Sequence, residues 1–169
     1  MYPEYKFKEG KLWCSCGPTG HACRDYDMFG LLCEGVRRTY DEKYGDVALL
    51  PNGFPEDASY RTIFDYYYTI NDEGAEKGWC GCISSENAKK IKEEYKYDEF
   101  EAYDKKLIRN PNFYGASYIT LEEFREVLDN YSRINGYDPH IEYEALYQYL
   151  KTFNDKGLYD VRLVYWFDS

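Results

Sequence analysis

Histidine and methionine are scarce in this chain, with two of each in 169 residues. No apolar run approaches the roughly 18 residues that a bilayer-spanning helix needs. There is no glycine-rich phosphate loop, no paired-histidine metalloprotease helix, no internal repeat and no low-complexity tract. With His21 and His140 far apart in sequence, no Ser-His-Asp or Cys-His ordering can be assigned. No catalytic residue is named, and the expectation leans towards a non-enzymatic protein. Met1-Tyr2-Pro3-Glu4-Tyr5-Lys6 lacks the basic-then-apolar layout of a secretion signal, so the expected location is the cytosol of the cell that makes it.

Positive charge is also short. Twenty-one Lys and Arg against 31 Asp and Glu give a net charge of −10 and a pI near 4.7. Such a field repels phosphate backbones and anionic membranes, so direct binding to either is disfavoured, while basic protein partners are permitted.

Tyrosine is what the chain has in quantity, 21 residues. Its apolar body and polar tip suit both a half-buried core and a recognition surface. The length and a 44% hydrophobic content are enough for a folded chain with a real core. The expected architecture is a single α+β domain over 1–169, a small mostly antiparallel sheet covered by three or four helices.

Residues 4–13 alternate as a hairpin turning at Glu9-Gly10. Asp25 or Asp27 caps a helix to about Val36, and Val47–Leu50 reads as a short strand before Pro51-Asn52-Gly53-Phe54-Pro55. Tyr60–Ile70 fits strand by composition and helix by spacing, and both stay open. Ser84 or Ser85 caps a charged helix to about Leu107, a helical insertion at 84–108. Thr120 with Glu123 makes a capping box, Asn135-Gly136 ends that helix, and Asp138-Pro139 opens the next. Tyr159–Phe167 alternates with apolar residues on both faces, which predicts a strand inside the sheet.

Several of these segments, taken in order, resemble an uncharacterised family found in bacteriophage genomes. They are Tyr26-Asp27-x-Phe29-x-Leu31-Leu32-x-x-Gly35-Val36-Arg37, Pro51-x-Gly53-x-Pro55-x-Asp57-x-Ser59, Ser117-Tyr118-Ile119-Thr120-Leu121-x-Glu123 and Val161-Arg162-Leu163-Val164-Tyr165-Trp166-Phe167-Asp168. Gly115-Ala116 stand where that family often carries histidines, and the 86–107 stretch is an addition to its pattern. The resemblance implies a phage accessory protein and no established reaction.

Arg37, Arg38, Asp57, Ser59, Arg162 and Trp166 form the most suggestive polar set, a cation group suited to gripping a phosphate or carboxylate of a nucleotide-like ligand beside stacking rings. Arginines after a helix also offset its negative end, which is the structural alternative. Cys14, Cys16, Cys80 and Cys82 lie in Gly-rich loops after tryptophans, a setting for zinc, although one intervening residue is tight for paired ligands. Free thiols are the favoured state, with zinc and a disulfide as the alternatives. Tyr66-Tyr67-Tyr68 is core, or, if exposed, a partner-contact patch. The leading expectation is a protein that binds and neutralises a host defence protein through an acidic, Tyr-rich surface. A nucleotide-binding protein and a metal-dependent hydrolase on the cysteine loops are the alternatives.

Overall fold

Two stretches near opposite ends of the sequence pair to build the main sheet. In the computed structural model, which describes residues 1–17, 25–34 and 42–168, β1 (Tyr2–Phe7) turns back into the short β2 (Cys14–Ser15), a hairpin as expected, though its return strand lies beyond the expected residues 4–13. Along its other side β1 lies antiparallel to β8 (Tyr159–Asp168), Tyr2 opposite Val164 and Phe7 opposite Tyr159. Outside β8 lies β7 (Phe113–Thr120), giving the order β2-β1-β8-β7. The interior place of β8 accounts for apolar residues on both its faces.

Helices α1 (Tyr26–Leu32), α5 (Leu121–Asn135) and α6 (Ile141–Asn154) supply the core for one face of this sheet. Asp25 caps α1 by accepting from the Met28 amide at 3.1 Å. Met28, Leu31 and Leu32 are wholly buried, and Phe29 meets Phe167 at 4.6 Å between ring centres. The Tyr165 hydroxyl donates to the Leu32 carbonyl at the end of the helix. In α5 the capping box forms as expected, and Gly136 at φ +76° ends the helix. The stop read at Asn135-Gly136 is thus a left-handed cap that glycine adopts without a side-chain clash. The last helix starts at Ile141, two residues after Pro139. The expected extension of α1 to Val36 lies outside the described residues.

Val47–Leu50 is no strand. The amides of Val47 and Ala48 bond the Tyr44 carbonyl, and the Leu49 amide bonds Leu31, whose carbonyl lies in the last turn of α1. A helix leaves its final carbonyls without internal donors, and this segment supplies one.

Between the halves of the first compact unit (Met1–Ser59, Gly115–Phe167) the chain makes a second, Tyr60–Tyr114, the boundary falling inside β7. The ambiguous Tyr60–Ile70 stretch is both things in succession: α2 (Tyr60–Tyr66), burying Thr62, Ile63 and Tyr66, runs directly into β3 (Tyr67–Ile70). After α3 (Asp72–Glu76), β4 (Cys82–Ile83) pairs parallel to β3. The charged helix α4 (Ser85–Tyr95) is capped by Ser84 and buries only Ala88. It stops at Tyr95 rather than Leu107, because Lys96 turns left-handed (φ +59°) and the chain becomes a hairpin of β5 (Phe100–Ala102) and β6 (Lys105–Arg109). Leu107 and Ile108 are wholly buried in this strand, within the order β4-β3-β6-β5. The fold is therefore α+β and mostly antiparallel, with two four-stranded sheets among the described residues. No helix among the described residues is long and apolar enough to cross a membrane.

Tyr103 and Asp104, between β5 and β6, sit at φ +52° and +58°. Such a turn is normally made by Asn-Gly or Asp-Gly. Asp104→Gly should therefore stabilise the protein, by about 0.5 kcal/mol in urea unfolding, after the entropy glycine loses on folding. A destabilised variant would contradict the left-handed turn.

Candidate functional site

The register of β1 on β8 puts Glu4 directly opposite Arg162. Glu4 is wholly buried and Arg162 is 6% exposed. An ionised carboxylate out of water costs several kcal/mol unless it is paired and hydrogen-bonded. Both conditions are met. Arg162 Nε donates to Glu4 Oε2 at 2.8 Å, and the Ser59 amide donates to Oε1 at 2.8 Å.

The rest of the guanidinium faces the loop before α2. Nη1 donates to Asp57 Oδ1 at 2.7 Å and Nη2 to the Asp57 carbonyl at 3.2 Å. The other Asp57 oxygen accepts from Trp13 Nε1 at 2.9 Å, and the Trp13 ring centre lies 3.9 Å from Arg162 Cζ. The Tyr118 ring is 5.5 Å from the same carbon. Burial raises the Asp57 carboxyl, but the hydrogen bond and charge of Arg162 and the Trp13 N–H outweigh it, leaving the group below its usual 3.8.

Asp57, Ser59 and Arg162 are thus brought together, but as an internal clasp. Two carboxylates and an indole ring absorb the cation expected to grip a ligand, and Ser59 contributes its amide to Glu4. That corrects the ligand-gripping expectation for Arg162: its charge is already neutralised. Trp166 stacks on Tyr2 at 4.4 Å and 14°, with Phe54 at 6.2 Å. Arg37 and Arg38 lie outside the described residues, as do His21 and Cys23. Glu4 and Trp13 were the residues missed. Alternation placed Glu4 on the lysine-bearing side of the first strand, and only the register with β8 makes it a buried partner.

A second network sits where α1 meets the end of α5. Asp27 Oδ1 accepts from Lys43 at 3.0 Å and from the Tyr44 hydroxyl at 2.6 Å, and Oδ2 accepts from Tyr137 at 3.1 Å. Asn135 Oδ1 accepts from the same Lys43 at 2.6 Å and lies 2.8 Å from the Tyr44 oxygen. Burial raises the Asp27 carboxyl, and the bonds from Tyr44, Lys43 and Tyr137 bring it below its ordinary value. The wholly buried Tyr44 is an anchor for α1.

The cysteines among the described residues are free thiols. Cys16 is buried and donates to the Pro3 carbonyl at 3.6 Å, and burial, with Glu4 and Cys14 nearby, pushes its thiol up to about 12. Cys14 and Cys80 are exposed and Cys82 is half-buried, all as free thiols. Among the described residues no group of three or more His, Cys, Asp or Glu could hold a metal ion. Tyr66 is 2% exposed, which makes it core rather than contact patch, and Tyr67 and Tyr68 are half-buried. Compared with known proteins, the chain matches no family model, no curated protein and no solved structure.

Removing one member of a buried ion pair is far more costly than replacing both. Arg162→Met should lower stability by about 3–5 kcal/mol in urea unfolding, and adding Glu4→Met should recover much of the loss. A single variant as stable as the parent would mean that Glu4 is not held by this pair. Because the Asp57 carboxyl is lowered on folding, its contribution is present above its unfolded value near 3.8 and is lost as pH falls through the folded one. Asp57→Asn should therefore flatten the acid limb of the stability curve, as measured by denaturation below about pH 4.

Proposed function

We propose that this is a binding protein, a phage accessory protein that engages and neutralises a host defence protein in the host cytosol through an acidic, Tyr-rich surface. The observation that carries this reading is an exposed apolar pair with carboxylates beside it, at the link between α5 and α6. Tyr137 is 56% exposed and Ile141 73%, and both Asp138 and Glu142 beside them are exposed. The Tyr137 ring is fixed by its hydroxyl bond to Asp27 and by edge contact with Tyr131, so little freedom is lost when a partner covers it. Further along the helices, exposed Glu122 and Glu126 have no ion-pair partner among the described residues. An apolar centre with a charged rim is the anatomy of a specific interface.

Charge supports the choice of a basic partner. Residues 60–114 carry eleven acidic and nine basic side chains, so nearly all of the net −10 belongs to the rest of the chain. A small-ligand role built on Arg162 is disfavoured by the two carboxylates already on it.

Capture from host lysate at about 0.1 M salt should retain a stoichiometric partner and lose it near 1 M, where the screening length falls from about 10 to about 3 Å. Ile141→Ala should weaken the complex by about 2 kcal/mol, roughly thirtyfold, and Glu122→Lys with Glu142→Lys should slow association. Retention that ignores salt and all three substitutions, or no retained partner at low salt, would defeat the reading.

A further inference from the structure

Three arginines of the described chain lie against aromatic rings and also make buried or half-buried hydrogen bonds, and two of them are neutralised in the same way. Arg162 lies on Trp13 and pairs with Glu4 and Asp57. Arg125 lies over Tyr147 at 5.0 Å and pairs with Asp129 and Glu144. Arg109, at the end of β6, has the rings without the carboxylates. Its Cζ is 4.9 Å from the centre of Tyr97 and 6.0 Å from that of Tyr66. Its Nη2 donates to the Phe113 carbonyl at 3.2 Å, and its Nε is buried with no hydrogen-bond partner. No ion pair joins it to any Asp or Glu among the described residues.

This environment is built rather than incidental. Tyr66 is core and stacks on Phe113 at 5.9 Å and 20°, while Tyr97 stacks on Tyr95 at 5.7 Å and 27°. Strand pairing of β6 with β3 sets Arg109 opposite Tyr67. The rings hold the plane of the guanidinium, and the Phe113 carbonyl fixes one edge of it. The Tyr66 side chain also hydrogen-bonds the guanidinium, and the N–H groups beyond these two contacts suit recognition of a planar or tetrahedral oxyanion. Arg109 is half-buried, with its Nε wholly so, and no carboxylate of the described residues pairs with it. The segment around it is nearly neutral, so the strong negative field of the rest of the sequence is least opposed to an anion here.

We propose that Arg109 is the docking point for a small oxyanion, phosphate or carboxylate, which supplies the counter-charge that the other two ring-stacked arginines find within the chain. The site is independent of the acidic surface assigned above.

The test is thermal unfolding of the full chain in sodium phosphate and in sodium acetate, each against sodium chloride at equal ionic strength. Binding should raise the melting midpoint by roughly 3 °C at about ten times the dissociation constant. Arg109→Met should abolish that rise. Arg109→Lys keeps the charge and the long stem but not the fork, and should weaken binding roughly tenfold while remaining folded should the methionine variant not be. A rise with phosphate alone, or with acetate alone, supports the site and identifies the oxyanion. No rise with either, or a rise that survives in the lysine variant at full strength, overturns it.

Discussion

Glu4 is wholly buried, and a carboxylate in that position is tolerated only where a cation and hydrogen bonds meet it. Arg162 meets it from the neighbouring strand, at a position set by backbone register. The consequence spreads outwards. Because Arg162 is committed to Glu4, its other nitrogens reach Asp57, and Asp57 in turn reaches the indole of Trp13. One buried charge thus ties together β1, β8, the loop before α2 and the connection between β1 and β2. The opposite face of the same two strands is apolar and joins α1, through Phe29 on Phe167 and the Tyr165 hydroxyl on Leu32. Polar clasp and apolar core therefore share one sheet, divided by the two-residue alternation of β8.

How far the sequence reaches depends on whether the punctuation is conventional. The capping box at Thr120–Glu123 and the Gly136 stop belong to positions where one residue type has a clear physical advantage, and the structure has them as expected. The interior position of β8 followed from apolar residues on both its faces. The hairpin after α4 escaped because its stops are Lys96, Tyr103 and Asp104, all with positive φ although none is glycine. Tyr60–Ile70 had two answers because a helix passes into a strand without a loop. The clasp was half legible. Arg162, Asp57 and Ser59 stood out as polar residues in one set, but their mutual neutralisation required Glu4, which no local pattern marks as buried.

Aromatic rings do two separate tasks here. Some close the core, as Tyr44, Tyr66 and Tyr165 do at 2% exposure or less. Others lie on cations, at Arg162, Arg125 and Arg109, where a flat guanidinium matches a flat ring. This second use explains how so acidic a chain buries arginine at all: ring faces supply part of the negative potential, and carboxylates supply the remainder where they are present. Of the three ring-stacked arginines among the described residues, Arg162 and Arg125 also meet carboxylates and Arg109 does not.

The pairing of β1 with β8 also constrains the order of events during synthesis. Tyr2 waits for Val164, more than 150 residues later, before its strand has its neighbour on that side. While the ribosome is still adding the intervening chain, Glu4 remains hydrated and Arg162 does not yet exist. The hairpin of β1 and β2 is by itself too small to persist, so the nascent first unit stays open until its last strand emerges. Residues 60–114 carry their own sheet from contiguous sequence and are under no such delay. The sheet of residues 60–114 therefore needs no strand from outside its own stretch, whereas β1 depends on β8.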